Sequence, residues 1–113
     1  MQYIKAVSEL ANVSHDSVRD SIRTYIKTLE QQYHEPYQAT LHGWFIICEN
    51  DSDLTQPIAN LSFSLAEKLH SGEVEFVEKK QDWFEVYITL NDNEGILVFV
   101  PIEILQRHKI NPI

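Results

Sequence analysis

The residues of this 113-residue chain that could do chemistry are five histidines, one cysteine and seventeen acidic residues. The histidines are His15, His34, His42, His70 and His108. Since no two of them stand four residues apart, no helix can present a pair of zinc ligands, and we expect no metal site. Cys48 is the only cysteine and ends an apolar run. We therefore expect a buried thiol, no internal disulfide and a reducing, cytoplasmic setting.

The motifs of the common catalytic sites are missing from the sequence. The three glycines are too far apart to form a phosphate-binding loop or a dinucleotide fingerprint. Ser14, His15 and Asp16 have the residue types of a catalytic triad, but adjacent side chains diverge. We expect a helix cap there, formed by Ser14 or Asp16. The sequence predicts a protein that is not an enzyme and has no cofactor, and only a carboxylate pair assembled by the fold stays open as an alternative.

The net charge is strongly negative and unevenly distributed. Nine Lys and Arg residues stand against seventeen Asp and Glu residues, which gives −8. Residues 1–37 carry −1 of this charge and residues 38–113 carry −7. An excess of this size repels nucleic acid and anionic membranes and attracts basic proteins. No apolar stretch reaches 18 residues, so we expect no transmembrane helix.

Acidic and aromatic side chains of the second part could form a docking surface for a basic protein. The candidate contacts are Glu49, Asp51, Asp53, Trp83, Glu85 and Tyr87. The first three lie in a loop that starts like a calcium loop but lacks its central glycine and its final glutamate. The last three lie on a strand face that we expect to be exposed. Acidic complementarity accelerates association, and aromatic side chains supply much of the energy at protein interfaces.

Hydrophobic spacing predicts the helices. Ile4, Val7 and Leu10 recur at the spacing of one helix face, and a longer apolar stripe runs from Val18 to Leu29 beside a charged face. A third stripe follows Pro57, a residue that is favoured at helix starts. The predicted helices cover 3–11, about 15–33 and about 57–70, and a short one follows at 102–107.

Two other patterns predict the strands. Residues 41–48 form a strand whose apolar character indicates burial on both faces. Residues 73–76 and 83–90 alternate apolar and polar side chains, and residues 96–100 are all apolar. Polar turns at 79–82 and 91–95 separate these segments, which predicts three antiparallel strands.

Together these elements predict an α+β fold. The predicted order is α-α-β-α-β-β-β, in which an antiparallel β-meander packs against helices. The length suits one domain, residues 1–113. Within it we expect a helical N-terminal part, 1–35, and a mixed α/β body, 40–107.

The first helix pair also has the spacing of a known motif. The residues that carry it are Ile4, Lys5, Val7, Ala11, Val13, Ser14, Val18 and Ile22. In this pattern the segment 4–22 resembles the helix-turn-helix of the lac repressor family. The resemblance implies that the second helix lies in the DNA major groove. By this resemblance Ser14, His15, Asp16 and Arg19 would face DNA. The DNA-binding hypothesis adds Arg23 as a contact.

Two functional hypotheses follow from these features. The first is a non-enzymatic, acidic protein-binding module, most concretely a bacterial immunity or inhibitor protein of the antitoxin type that neutralises a basic partner such as a nuclease toxin. The alternative is a small helix-turn-helix DNA-binding regulator that uses residues 4–23. Because phosphate contacts supply most of the affinity for DNA, a net charge of −8 favours the first hypothesis.

Overall fold

A computed structural model describes residues 1–59, 61–91 and 94–112. The strands are β1 (Gln2–Ile4), β2 (Trp44–Ile47), β3 (Phe76–Lys79), β4 (Trp83–Asn91) and β5 (Glu94–Pro101). The α-helices are α1 (Asp16–Tyr33), α2 (Ala39–His42), α3 (Leu65–Ser71) and α4 (Ile102–Arg107), and 3-10 helices cover Val7–Asn12 and Asp51–Leu54. The strands form one five-stranded mixed sheet in the order β1-β2-β5-β4-β3.

The predicted antiparallel meander is wrong for the sheet as a whole: β3, β4 and β5 pair antiparallel in that order, but β5 also has a parallel partner. β5 pairs antiparallel with β4 and parallel with β2, in a register that sets Trp44 opposite Ile96 and Ile47 opposite Phe99. Every residue from Gly95 to Val100 is buried. A strand buried on both faces and lying at the centre of a sheet needs backbone partners along both edges, and the hairpin with β4 supplies only one.

The predicted element order is also wrong at its start. Residues 3–11 form no α-helix: Gln2–Ile4 is a strand, and a 3-10 helix follows. Ile4 is fully buried and lies opposite Phe45 in the antiparallel pair β1–β2, whereas Val7 is 53% exposed. The apolar residues therefore do not share one buried face. Extended backbone at Gln2–Ile4 instead covers the open edge of β2, whose backbone groups would otherwise lack partners.

The other predicted elements hold to different extents. The predicted long helix is confirmed as α1. The residue after it, His34, is its C-cap and has a left-handed backbone conformation. The helix predicted over 57–70 is shorter, because Ser64 caps α3 by accepting a hydrogen bond from the Glu67 backbone N–H, and Gly72 ends it. The segment before Ser64 is not helical as far as it is described, and Asn60 lies outside the described residues. The turn predicted at 91–95 also falls partly outside them, at Asp92 and Asn93.

The sheet separates two hydrophobic clusters. On one face α1 and the first 3-10 helix cover side chains of β2, β4 and β5 through Val18, Ile22 and Ile26. On the other face α3, α4 and the second 3-10 helix cover the alternate side chains of the same strands. The strand predicted over 41–48 is shorter, because Leu41 and His42 lie in α2. All four residues of β2 are buried, which confirms the prediction that this strand is covered on both sides. No helix in the described ranges is long and apolar enough to cross a membrane.

A buried carboxylate connects α1 to β4. Glu85 is fully buried, and its two oxygens accept hydrogen bonds from the Tyr25 hydroxyl at 2.6 Å and from the Trp83 indole N–H at 3.0 Å. Burial raises the pKa of Tyr25 above its ordinary value, and the neighbouring Glu85 raises it further. Tyr25 therefore stays a hydrogen-bond donor at physiological pH. The contact positions α1 across β4 because a buried carboxylate oxygen without a donor is unfavourable.

We predict that Tyr25→Phe lowers the free energy of unfolding by about 1–3 kcal/mol, since it leaves one oxygen of buried Glu85 without a donor. Urea denaturation monitored by circular dichroism measures this. The matched control is Tyr33→Phe, because the Tyr33 hydroxyl lies on the surface and forms no hydrogen bond within the described part of the chain. Equal stability of both variants and the wild type would contradict the role assigned to this contact.

Candidate functional site

A cavity of about 610 Å³ opens at the edge of the sheet where β2 and β5 end. Cys48 and Glu49 follow β2 there, and Pro101 and Ile102 lie at the end of β5. The two strands are parallel, so their carboxyl ends meet at one edge, and ligands of open α/β sheets bind outside such edges. The volume lies in the range of ligand-binding clefts. This cavity is our candidate functional site.

The inner wall of the cavity is apolar. Val18, Ile47, Trp83 and Phe99 line it, and each is buried in the cluster beneath α1. Cys48 also lines it, but burial, with a further contribution from Asp53, raises the pKa of its thiol to about 12. A thiol with this pKa is protonated at neutral pH, so Cys48 is not a nucleophile here. The wall therefore offers contact area for a ligand rather than reactive groups.

The mouth of the cavity is acidic. Glu49, Asp82 and Glu103 line it, and the side chains of Glu49 and Asp82 are 57% and 68% exposed. Within the described residues no Lys or Arg forms an ion pair with any of these carboxylates. Glu49 lies 3.8 Å from the Met1 ammonium, Asp82 lies 3.4 Å from the His15 ring, and Glu103 interacts electrostatically with Arg107 of the same helix. The local charge at the mouth is therefore negative.

His15 connects the mouth to the start of α1. Its Nδ1 accepts a hydrogen bond from the Val18 backbone N–H at 3.3 Å, so the neutral ring carries its proton on Nε2, which faces Asp82. The ring packs edge-on against Trp83 with centroids 5.5 Å apart. The helix cap expected in this segment is thus present, but His15 forms it instead of Ser14 or Asp16.

We predict that His15→Ala lowers the free energy of unfolding by about 0.5–2 kcal/mol, because α1 loses its N-cap acceptor. His15→Asn should recover most of this loss, since asparagine is a strong N-cap residue. Thermal unfolding of the three proteins at pH 7.5 measures both effects. If the asparagine variant is as unstable as the alanine variant, the ring contributes through its packing on Trp83 and not through the cap.

A wider polar groove lies on the other side of Trp83. It runs between α1 and the turn that joins β3 to β4, and has a volume of about 720 Å³. Hydroxyl side chains of α1 line one wall, and Lys80 lines the other, with Glu85 beneath. Lys80 pairs with Glu78 at 3.0 Å. The groove therefore has its charges paired or buried, unlike the mouth of the cavity.

The structure separates the three acidic loop residues predicted to bind a partner. Only Glu49 is exposed at the cavity. Asp53 is buried and accepts hydrogen bonds from the backbone N–H groups of Glu49 and Asn50, at 2.7 and 3.1 Å. Asp51 pairs with Arg107 at 3.0 Å and with His108 at 3.3 Å. Two of the three side chains therefore fold the loop and tie it to the end of α4.

The three predicted contacts on β4 are not on an open face. Trp83 and Glu85 are buried, so the expectation that this face of the strand is exposed is wrong for both. The reason is that α1 packs across it. Tyr87 is half-buried and stacks on Phe76, with ring centroids 5.4 Å apart. Of the six predicted contacts, Glu49 and Trp83 line the cavity, one at its mouth and the other in its wall.

The residues proposed to contact DNA are divided in the same way. Ser14 and His15 line the cavity, whereas Arg19 pairs with Asp16 at 2.9 Å and Arg23 pairs with Asp20 at 3.2 Å. The segment 4–22 begins in β1 and continues through a 3-10 helix into α1. The helix-turn-helix resemblance stays a prediction, with its two arginines already in ion pairs.

Sequence reasoning missed Asp82 and Glu103. Asp82 stands in a polar turn and Glu103 in the first turn of α4, and nothing in their spacing connects them to Glu49. They meet only because β5 lies between β4 and β2 in the sheet. The signal that could have pointed to them is an acidic residue within three positions of a strand end.

Asp53 should make the stability of the protein depend on pH. Burial alone would raise the pKa of Asp53, but hydrogen bonds from the two loop N–H groups and from the Met1 ammonium outweigh it and hold the pKa below its ordinary value. A lowered pKa in the folded state stabilises the protein above the unfolded pKa of about 3.9, and this stabilisation is lost as pH falls through the lower folded value.

We predict that Asp53→Asn destabilises the protein by about 1–3 kcal/mol at pH 7, because a charge-assisted acceptor is replaced by a neutral one. The difference from wild type should shrink progressively below about pH 4, where the wild-type carboxylate begins to protonate. Urea denaturation from pH 7 down to pH 3 measures it. A difference that stays constant over this range would contradict the charged role of Asp53.

The described structure contains no candidate metal site, and comparison with known proteins gives no family assignment. Within residues 1–59, 61–91 and 94–112, no three His, Cys, Asp or Glu side chains converge as a metal ion requires. No protein-family model, curated protein or solved structure matches the chain. The geometry and charge of the cavity are therefore the features that indicate a function.

Proposed function

We propose that the protein is a non-enzymatic, acidic binding module that docks a basic protein on the cavity mouth, as an immunity or inhibitor protein docks a toxin. The observation that carries this proposal is the set of three carboxylates around one concave opening, with no Lys or Arg paired to them in the described part of the chain. A convex partner with a basic tip would match both the shape and the charge of this opening.

The distribution of ion pairs supports this location. Five of the nine Lys and Arg side chains form ion pairs with carboxylates elsewhere on the surface. The five bases are Arg19, Arg23, Lys68, Lys80 and Arg107. These pairs cancel negative charge on α1, in the second 3-10 helix, after α3 and on β3. The mouth keeps its charge, so it contributes strongly to the field that a basic partner meets on approach.

The proposed role needs no reacting group. An inhibitor acts by occluding the functional surface of its partner, and charge complementarity mainly accelerates association and selects the partner. Exposed charges are screened over roughly 8–10 Å at physiological ionic strength. Binding should therefore weaken as salt is raised, through a slower association step. The apolar wall behind the mouth would supply contact area that salt does not screen.

The test is a comparison of charge-reversal variants. The partner is first isolated from an extract of the source cells at low salt, purified and titrated by calorimetry. We predict that Glu49→Lys/Glu103→Lys raises the dissociation constant by about tenfold or more, because like charges then face each other across the interface. The matched control is Glu67→Lys/Glu75→Lys, two exposed acids on other elements that form no ion pair in the described structure; it should change the constant by less than about threefold.

Two results would contradict the proposal. One is recovery of no basic protein at low salt. The other is equal affinity of the mouth variant and the control variant for the purified partner. The DNA-binding alternative makes a different prediction, namely that Arg19→Ala weakens binding to duplex DNA; the Arg19–Asp16 ion pair favours the protein-binding role over it.

A further inference from the structure

Of the five histidines of the chain, His15 is the one that lines the cavity. Its side chain is 44% exposed, so protons from the solvent reach the ring. Histidine is the side chain whose ordinary change of charge falls between pH 5 and 8, and ordinary Asp and Glu side chains stay ionised over that range. His15 is therefore the side chain of the cavity lining whose charge responds to pH near neutrality.

The neutral ring of His15 is part of the start of α1. Its Nδ1 accepts a hydrogen bond from the Val18 backbone N–H at 3.3 Å, and its protonated Nε2 faces the Asp82 carboxylate at 3.4 Å. A positively charged ring carries a proton on both nitrogens and has no acceptor left. Protonation therefore sets two donors against each other at Nδ1, and the N-cap contact with Val18 is lost.

Acidic side chains from three other elements favour the charged ring. Asp82, in the turn before β4, is the partner of Nε2. Glu49 after β2 and Glu103 in α4 line the same cavity. The Met1 ammonium, 3.8 Å from Glu49, offsets part of their negative charge. Because a nearby opposite charge stabilises the ionised form of a group, these carboxylates keep the protonated ring within reach of mild acid.

The start of α1 acts on His15 in the opposite direction. The first N–H groups of a helix carry roughly half a positive charge, which disfavours a cation at the N-cap. A charged ring also leaves the Val18 N–H without its acceptor. On α1 itself, Asp16 and Arg19 form an ion pair with each other at 2.9 Å, so their charges offset each other beside the ring. His15 thus lies between a helix that needs its neutral form and carboxylates that attract its charged form.

We infer that His15 is a pH-sensitive switch of the docking surface: its protonated form releases the first turn of α1 and adds a positive charge to the mouth, so the basic partner binds less tightly in mild acid. The rest of α1 stays in place, because Ile22 and Ile26 pack on the sheet beyond the first turn. This inference rests on the proposed function, because it concerns the regulation of the same mouth.

The first experiment follows the full chain, labelled with ¹⁵N and ¹³C, by NMR from about pH 8 to pH 5. We expect the His15 ring signals and the Val18 amide signal to change with one shared midpoint, because protonation removes the acceptor of the Val18 N–H. The His15→Asn variant keeps an N-cap acceptor that does not titrate, so its Val18 change should be absent. The matched control is His70→Asn, at an exposed histidine that forms no hydrogen bond in the described structure; it should keep the change.

The second experiment measures the effect on docking. The purified partner is titrated by calorimetry into the wild type, His15→Asn and His70→Asn at about pH 7.5 and pH 5.5, at one ionic strength. The ratio of the two dissociation constants should be at least about threefold smaller for His15→Asn than for the other two proteins. Comparing ratios cancels the titration of the partner and of the Met1 amine, which all three proteins share.

Three results would overturn the switch: a His15 ring that does not titrate down to about pH 5, a Val18 amide that stays unchanged while the ring titrates, and equal ratios for the wild type and His15→Asn. If Glu49→Lys/Glu103→Lys weakens the partner while one of these results is found, the docking surface stands and only the switch is overturned. If that charge reversal leaves binding unchanged, the proposed function itself is overturned, whatever His15 does.

Discussion

The parallel pairing of β2 with β5 is the contact on which the rest of the structure depends. It aligns Trp44 with Ile96 and Ile47 with Phe99, and the Cys48 N–H continues the ladder by donating to the Phe99 carbonyl at 2.9 Å. Both strands therefore end at the same edge of the sheet. The residues that directly follow them, Cys48 and Glu49 after β2 and Ile102 and Glu103 after β5, line the cavity at that edge. Without this pairing the acidic residues of the two chain segments would have no reason to meet.

The helix above this pair closes one side of the cavity and is positioned by polar as well as apolar contacts. Its stripe Val18, Ile22 and Ile26 packs on the sheet, and the Tyr25 hydroxyl donates to buried Glu85. Burying a carboxylate is unfavourable unless its oxygens have donors, so this arrangement penalises a shifted helix more than apolar packing alone would. The same residue, Trp83, donates to Glu85 and lines the cavity. The contact that positions α1 thus also holds the cavity wall.

The parts of this fold that depend on neighbouring residues were predictable from the sequence, and the parts that depend on distant residues were not. The periodicity from Val18 to Leu29 predicted α1, and the apolar run predicted a strand buried on both faces. The alternation along β4 correctly separated Phe84, Val86 and Ile88 from Trp83 and Tyr87. The spacing of Ile4, Val7 and Leu10 wrongly predicted a helix. Ile4 instead lies in β1, which pairs with the edge of β2.

The candidate site also depends on residues that are distant in the sequence, so the sequence predicted little of its geometry. The sequence indicated that negative charge concentrates after residue 37, and it selected Glu49 and Trp83, which both line the cavity. It could not indicate that the Asp53 carboxylate accepts hydrogen bonds from two backbone N–H groups of its own loop. Nor could it bring Asp82 and Glu103 to Glu49, since that depends on strand order. Local composition predicted that the surface is acidic. Only the strand order of the sheet shows where acidic side chains without a Lys or Arg ion-pair partner in the described residues come together.

The central claim is that a basic protein docks on the cavity mouth at the carboxyl ends of β2 and β5. A cross-saturation NMR experiment locates the docking surface, with the perdeuterated, ¹⁵N-labelled chain bound to its purified, protonated partner. The account predicts that saturation is strongest at the backbone amides of Glu49, Asp82 and Glu103 and at the Trp83 indole. A footprint confined to α3 or to the β3 edge, with these signals unaffected, would contradict it.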